Sequence, residues 1–517
     1  MQRILRPFFT VSLWTLISRL LGYLRDFVIA SKMGVSDLTD VFFLAFRLPN
    51  FFRRLFAEGA LNPVFIPMYT ELAKDKEEAK KFAIKIFWII CFVLLLIVTV
   101  FDIFMPLVYM GLTPGIIGTP KFQLAVELTR ITFPYLLFIC LCSLISGILN
   151  SYGRFFAFAF APCIINLVLI LSVLYWPAET KAHSLAYGVL LSGILQFIFM
   201  INALRRLKIF TLHDFFKYKI SLKDSRVSVF FKKFIPASIA SSVTQINFLF
   251  DNIVSSFIPH GITYLYFADR IMQFPLALIG TALGVASLPF VSRYVYRNKN
   301  SIVIKSQNEL VLYGLLFSIP SMLGFIFLGH EIITALFERG EFTAENSLNV
   351  YYALISFSLG LPAYVSVKIL TNFFFAKGDT KTPLKIALKV IIINFVLNIA
   401  LVLYFKHINL PPHAGIPLAS SIASWINFLL IRHHLKKAGL YALHKRFFTG
   451  LIVIFFAAFA MALALFYGKE YRLFSSLSMD MLAKIIISGI IYFAVIFSHD
   501  VFSVRKLLQR KARKKRV

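Results

Sequence analysis

The 517-residue chain is 59% hydrophobic, with a mean hydropathy of +0.79 and 58 phenylalanines, which is more apolar surface than a soluble core of this size can bury. A water-soluble fold is therefore excluded. The formal charge of +30 is met by anionic lipid headgroups and calls for no nucleic acid. Cys91, Cys140, Cys142 and Cys163 all sit in apolar runs, with no CxxC pair and no nearby histidine, so they read as core packing rather than a zinc set.

The first twenty residues lack a short apolar core followed by a small-residue cleavage site, so the first apolar stretch is expected to stay as a span. Fourteen such stretches follow the usual length criterion, near 9–32, 41–69, 83–110, 122–149, 157–176, 184–205, 232–258, 262–291, 311–329, 349–376, 384–405, 414–435, 447–467 and 481–503. The fold class is thus an all-α polytopic membrane protein. The second, eighth and tenth stretches are broken by Pro49, Gly59 and Pro63, by Pro275 and Gly284, and by Gly360 and Pro362. Broken helices of this kind line cavities in transporter-like bundles.

The segment from Ser18 to Pro67 sets Arg19, Arg25, Asp26, Asp40, Arg47, Asn50, Arg53, Arg54 and Glu58 inside or at the edge of apolar, helix-length sequence. Each charge costs roughly 2.5–3.5 kcal/mol at a helix centre, so a chain keeps such residues where a polar cavity receives them. Arginine dominates the set, and its planar, permanently charged fork suits phosphate or carboxylate, so an anionic ligand is expected. Arg19 and Arg25 lie about 9 Å apart along a helix, too deep for both to reach one interface. Arg47 and Arg54 have an alternative reading in which they only snorkel to headgroups. In the eighth stretch, Asp269 and Arg270 add a second charged pair, read either as a cavity group or as a structural pair, and the GxxxG of Gly280–Gly284 serves close packing or function equally well.

Loops after even-numbered stretches, together with both termini, hold the large majority of Lys and Arg, which puts the termini in the cytoplasm. The loop from Arg205 to Lys233 and the tail RKLLQRKARKKRV dominate this asymmetry. Two echoes about 225 residues apart, Gly153…Asn166 with Gly378…Asn394 and Pro49…Pro67 with Pro275…Pro289, predict two six-span repeats of parallel orientation. The expected division is 1–220 and 221–440 for the two halves, with 441–517 holding two further spans and the basic tail.

SRLLGYLRD, TDVFFLAFRLPNFFRRLFAEGALNPVFIP, YFADRIMQFPLALIGTALGVASLPFVS and AKGDTKTPLKIA are similar to the corresponding stretches of the MurJ/MviN family. Those proteins are lipid II flippases of bacterial peptidoglycan synthesis, in the multidrug/oligosaccharidyl-lipid/polysaccharide exporter superfamily. The resemblance implies two six-helix lobes in a V shape, alternating access in the bacterial cytoplasmic membrane, and two extra helices forming a groove for the undecaprenyl tail. It places cavity arginines on Arg19, Arg25, Arg53 and Arg270, and an important acidic residue on Asp40. Where some relatives have an acidic residue shortly after the arginine of the eighth stretch, this chain has Gln273, which puts an ion pair or proton role there in doubt. A monomer is expected, with lipid II, anionic lipids and cell-wall synthesis proteins as partners.

The chemistry of the residues fits a diphosphate-linked head, because the arginines can replace phosphate hydration while Asp40, Asp26, Asp269, Asn50 and Glu58 orient them or couple their movement. No GxxxxGK[ST] motif indicates ATP, so the membrane potential is the simpler driving force and no cofactor is required. Asp251, Asn394 and Asn398, with Ser420 nearby in sequence pattern, form a candidate sodium site. The other classes are a drug antiporter or other polyprenyl-diphosphate-sugar exporter, a membrane enzyme, and a scaffold. A membrane enzyme would need a DDxxD-like cluster or HExxH in its loops, and the loops have neither.

Overall fold

A computed structural model describes residues 2–210, 214, 224–297 and 300–499. The basic tail from Arg505 and residues 211–213 and 215–223 of the basic loop between Arg205 and Lys233 lie outside the described residues. Among the described residues every regular element is helical: α1 (Gln2–Met33), α2 (Asp37–Arg53), α3 (Asn62–Leu72), α4 (Lys76–Ile103), α5 (Met105–Leu112), α6 (Pro120–Thr132), α7 (Tyr135–Ser151), α8 (Phe156–Tyr175) and α9 (Lys181–Arg205) come first. They are followed by α10 (Ser225–Ser255), α11 (Gly261–Pro275), α12 (Ala282–Tyr296), α13 (Asn300–Phe337), α14 (Ala344–Ser358), α15 (Leu361–Ala376), α16 (Lys381–His407), α17 (Gly415–Lys437), α18 (Lys445–Gly468) and α19 (Leu477–Ser498).

The three expected breaks are present. Wide π turns, Arg54–Leu61 and Leu276–Thr281, join α2 to α3 and α11 to α12, while α14 and α15 meet at a bend of 41°. Pro49 and Pro63 flank the first π turn and Pro275 opens the second, because a proline without an N–H, clashing with the preceding carbonyl, cannot continue a regular ladder. Two further interruptions had no forecast. Phe104 divides α4 from α5 just before Pro106, and Phe133–Pro134 divides α6 from α7.

Among the described residues, nine helices, or ten with the bent pair, are long and apolar enough to cross a membrane. The four remaining expected stretches, 9–32, 41–69, 232–258 and 262–291, are helical too, yet fall outside that set. Those four hold Arg19, Arg25, Asp26, Arg53, Glu58, Asp251, Asp269 and Arg270, and Asp40 immediately precedes the second.

The chain divides into two compact units, Met1–Thr263 with Arg339–Thr343, and Tyr264–Glu338 with Ala344–Val517. In the first, α1 packs along α8, where Trp14 meets Phe156 and Phe160 edge-on at 5.4 and 4.9 Å. Helix α10 packs against the first π turn, with its N-cap Asp224 accepting from the Arg226 N–H at 3.0 Å and binding Lys85 Nζ at 2.7 Å. The Lys85 ammonium holds the Asp224 carboxyl below the usual carboxylate range. Gly34 and Gly340, both at positive φ (56° and 60°), let residues 339–343 approach the end of α1 closely. A Cβ on Gly34 would stand 2.1 Å from the Glu341 carbonyl oxygen.

In the second unit, α18 and α19 pack on α13 through Leu312, Leu316, Val453, Ile454, Met461 and Ile496. The Tyr492 hydroxyl, buried among them, donates to the Leu316 carbonyl at 2.9 Å, satisfying its polar atom inside an apolar cluster.

Candidate functional site: charged groups on broken helices

Arg25 and Asp26 are buried neighbours on α1, with side-chain exposures of 8% and 0%, so neither can be hydrated by bulk water. Arg25 Nε and Nη2 donate to Asp26 Oδ1 at 3.0 and 2.6 Å, and Nη1 donates to Asn166 Oδ1 on α8 at 3.1 Å. Asn166 is itself fixed, its Nδ2 donating to the carbonyls of Ser18 and Pro162 at 3.0 and 3.1 Å. A charge pair taken this far from water persists only with near-complete hydrogen bonding, and Asn166 supplies the missing acceptor. The sequence marked Asn166 only as part of an internal echo and did not assign it to the site.

Arg53 ends α2 where the π turn begins. Its Nε donates to Asn50 Oδ1 at 3.2 Å, its Nη1 pairs with Glu58, and Asn50 Nδ2 donates back to the Phe46 carbonyl at 2.9 Å. The turn thereby sets three expected site residues, Asn50, Arg53 and Glu58, in one row. With the arginine side chain 28% exposed and the glutamate 57%, this pair is solvated and worth about 0–1 kcal/mol, cheap to exchange for another anion. Arg19 is exposed on α1.

Asp40 is buried at the start of α2. Its Oδ1 accepts from the Thr263 N–H at 3.0 Å and from the Thr263 hydroxyl at 2.6 Å, while Oδ2 lies 3.8 Å from both Lys121 Nζ and His260 Nδ1. Its neighbours are therefore a threonine, a lysine and a histidine, not the arginines that sequence reasoning assigned to it. Asp37 shares the cluster, 2.5 Å from Lys121 Nζ.

Arg47 corrects the snorkelling alternative. It is half-buried, pairs through Nη1 with Asn252 on α10, donates from Nη2 to the Ile262 carbonyl at 3.5 Å, and lies 5.0 Å over the Phe248 ring. Its guanidinium faces protein, not headgroups. Arg54 stays exposed, with Nη1 3.5 Å from Gln245 Oε1.

In the second unit, Asp269 and Arg270 lie on α11, and Gln273 Nε2 donates to Asp269 Oδ2 at 2.5 Å. The residue that departs from some relatives is thus a neutral hydrogen-bond partner for the adjacent carboxylate. Asn394 and Asn398 are buried one turn apart on α16, whereas Asp251 belongs to the first unit.

Among the described residues, nine helices long and apolar enough to cross a membrane, or ten with the bent pair, define a multi-pass membrane protein. The family profile described as "Lipid II flippase MurJ" matches residues 29–494, and the chain belongs to that family. It is 40% identical over 426 residues to the "Probable lipid II flippase MurJ" of Rickettsia prowazekii (strain Madrid E), covering 82% of each chain. To the protein of the same description from Vibrio cholerae serotype O1 it is 34% identical over 480 residues, covering 90% of this chain and 88% of the relative. A solved structure titled "Lipid II flippase MurJ, inward closed conformation" superposes with a TM-score of 0.79 at 28% identity, covering 96% of this chain and 99% of the other. An inward-facing multidrug resistance MATE family transporter superposes at 0.62 with 14% identity, over 80% of this chain and 98% of the other, which shows a shared fold.

Proposed function

We propose that this protein carries lipid II from the cytoplasmic to the outer face of the bacterial cytoplasmic membrane by alternating access. The observation that carries the reading is the match of residues 29–494 to the family profile, in a chain that sets the Arg25–Asp26 and Arg53–Glu58 pairs inside apolar, helix-length sequence. A disaccharide-pentapeptide head with a diphosphate and carboxylates needs a polar route across about 30 Å of hydrocarbon. Arg19, Arg53 and Arg270 receive the diphosphate through forked hydrogen bonds, and Arg25, its fork taken up by Asp26 and Asn166, holds α1 in place against α8. Asp40 acts through Thr263, Lys121 and His260 to couple the position of α2 to the transport cycle.

In this reading the chain makes fourteen spans, six in each of two repeats, with α18 and α19 holding the lipid tail and both termini in the cytoplasm. The two π turns, starting at Arg54 and Leu276, support the repeat, because they recur at nearly the same offset as the sequence echoes. The protein works as a monomer among anionic lipids. A drug antiporter would have little use for so arginine-rich a set. Depleting the protein from its own cell should accumulate lipid II on the inner face of the membrane; accumulation on the outer face would overturn the proposal.

The membrane potential drives the cycle in this account. The candidate sodium residues are divided between the two units, Asp251 in the first and Asn394 and Asn398 in the second, and one carboxylate with two neutral amide oxygens is a weak donor set for sodium. Replacing sodium by potassium should leave the transport rate within twofold; a tenfold loss would assign ion coupling to these three residues.

A further inference from the structure

In the first unit, on helices other than those of the candidate arginines, a second set of side chains converges. Glu127 stands on α6, Glu179 just before α9, and His183 in the first turn of α9, and one ligand atom from each lies within 4.8 Å of the others. The two glutamates are open to solvent, with side chains 59% and 84% exposed, but the His183 side chain is only 5% exposed. His183 Nε2 is buried with no hydrogen-bond partner, and it faces Glu127 Oε1 at 3.4 Å and Glu179 Oε2 at 3.9 Å.

We propose that these three residues bind a first-row transition-metal dication of the zinc type, which fastens α6 to the start of α9. Separations decide between this and an ordinary ion pair. A protonated imidazole hydrogen-bonded to a carboxylate closes to about 2.7–2.9 Å. Two donors each about 2.1 Å from a tetrahedral zinc stand about 3.4 Å apart, the distance found between His183 and Glu127. Glu127 and Glu179 are both exposed and have the freedom to close the remaining separation.

The orientation of the ring supports a metal as well. Thr180, the N-cap of α9, accepts from the His183 N–H at 3.3 Å, and its hydroxyl lies 2.8 Å from His183 Nδ1. A hydroxyl oxygen has two lone pairs, so it can take both protons and leave the Nε2 lone pair directed at the carboxylates, the usual second partner of a metal-binding histidine. Calcium and magnesium prefer all-oxygen sites, so the imidazole selects a softer ion. The positive end of the α9 dipole opposes a cation by about 0.3–1 kcal/mol, which two carboxylate charges outweigh. The superficially similar trio Asp37, Asp40 and His260 differs, because Lys121 Nζ already sits 2.5 Å from Asp37.

The test uses the full chain purified in detergent and stripped with chelator, titrated with Zn²⁺ alone and with Ca²⁺ alone by calorimetry, and then melted with and without Zn²⁺. One saturable Zn²⁺ equivalent is expected, with a rise in Tm and no matching response to Ca²⁺. E127Q/E179Q and H183N should each weaken binding at least tenfold and abolish the Zn²⁺-dependent rise, while H433N/H434N, altering an adjacent histidine pair elsewhere, should bind as the parent does. E127Q/E179Q changes only exposed side chains, so it reads the site even if H183N fails to fold. No saturable binding, binding unchanged in E127Q/E179Q, or equal response to Ca²⁺ would each overturn the assignment.

Discussion

Replacing Arg19, Arg53 or Arg270 by Ala is expected to abolish complementation of a strain depleted of its own lipid II flippase, with membrane insertion at the parental level. These side chains cost energy in the bilayer, so removing them should ease insertion, if anything. Arg25 differs. Its neighbour Asp26 is wholly buried, and Arg25→Ala would leave that carboxylate without its cation, a loss of about 3–5 kcal/mol and a fall in the amount of folded protein. The double variant R25A/D26A removes the stranded charge and should recover folded protein without recovering transport. Arg→Lys separates charge from geometry: at a bidentate site it loses the planar fork, so at least two of the four Lys variants should be impaired. Arg54→Lys, at an exposed side chain, should transport normally. On the snorkelling reading Arg47→Lys would also transport normally, but the contacts of Arg47 with Asn252, Ile262 and Phe248 depend on the guanidinium plane and predict partial loss instead.

Asp40→Asn is expected to lose transport while inserting normally. An Asn Oδ1 can still accept from the Thr263 N–H and hydroxyl, so the fold of this corner should survive. The carboxylate charge does not survive. Hydrogen bonds to a charged group contribute about 1.5–3 kcal/mol against about 0.5–1.5 for neutral ones, so the clasp on Thr263 weakens by roughly 1 kcal/mol. The new amide also turns a donor toward Lys121 and His260, where the carboxylate had offered an acceptor. Measured by complementation with an immunoblot of membranes, a fully active Asn variant would show that the charge is dispensable and that hydrogen bonding to Thr263 is all Asp40 supplies.

Local chemistry was legible in the sequence and long-range pairing was not. Apolar length marked every membrane-length helix, and Pro49, Pro275 and Gly360 marked three breaks, because a missing N–H or Cβ acts on the residues beside it. The form of those breaks, two π turns and one bend, had no such signal, while Pro134 carried the same mark and was not read as a break. Charges inside apolar helices identified the candidate site, since their cost is a property of the helix they occupy. Their partners depend on packing across the chain: Asn166 lies 141 residues from Arg25, Thr263 lies 223 from Asp40, and Asn252 lies 205 from Arg47. Asp40 was read as a companion of arginines for that reason, and for Arg47 the snorkelling alternative stayed open.

The central claim is that arginine side chains on broken helices carry the diphosphate head of lipid II across the membrane. Purified protein reconstituted into vesicles loaded with lipid II on one leaflet tests it directly, by following the lipid's arrival on the other leaflet with a membrane-impermeant reagent. The parent should deliver lipid II, and R53A and R270A should leave it at the level of protein-free vesicles. Equal delivery by the parent and both Ala variants would contradict the account.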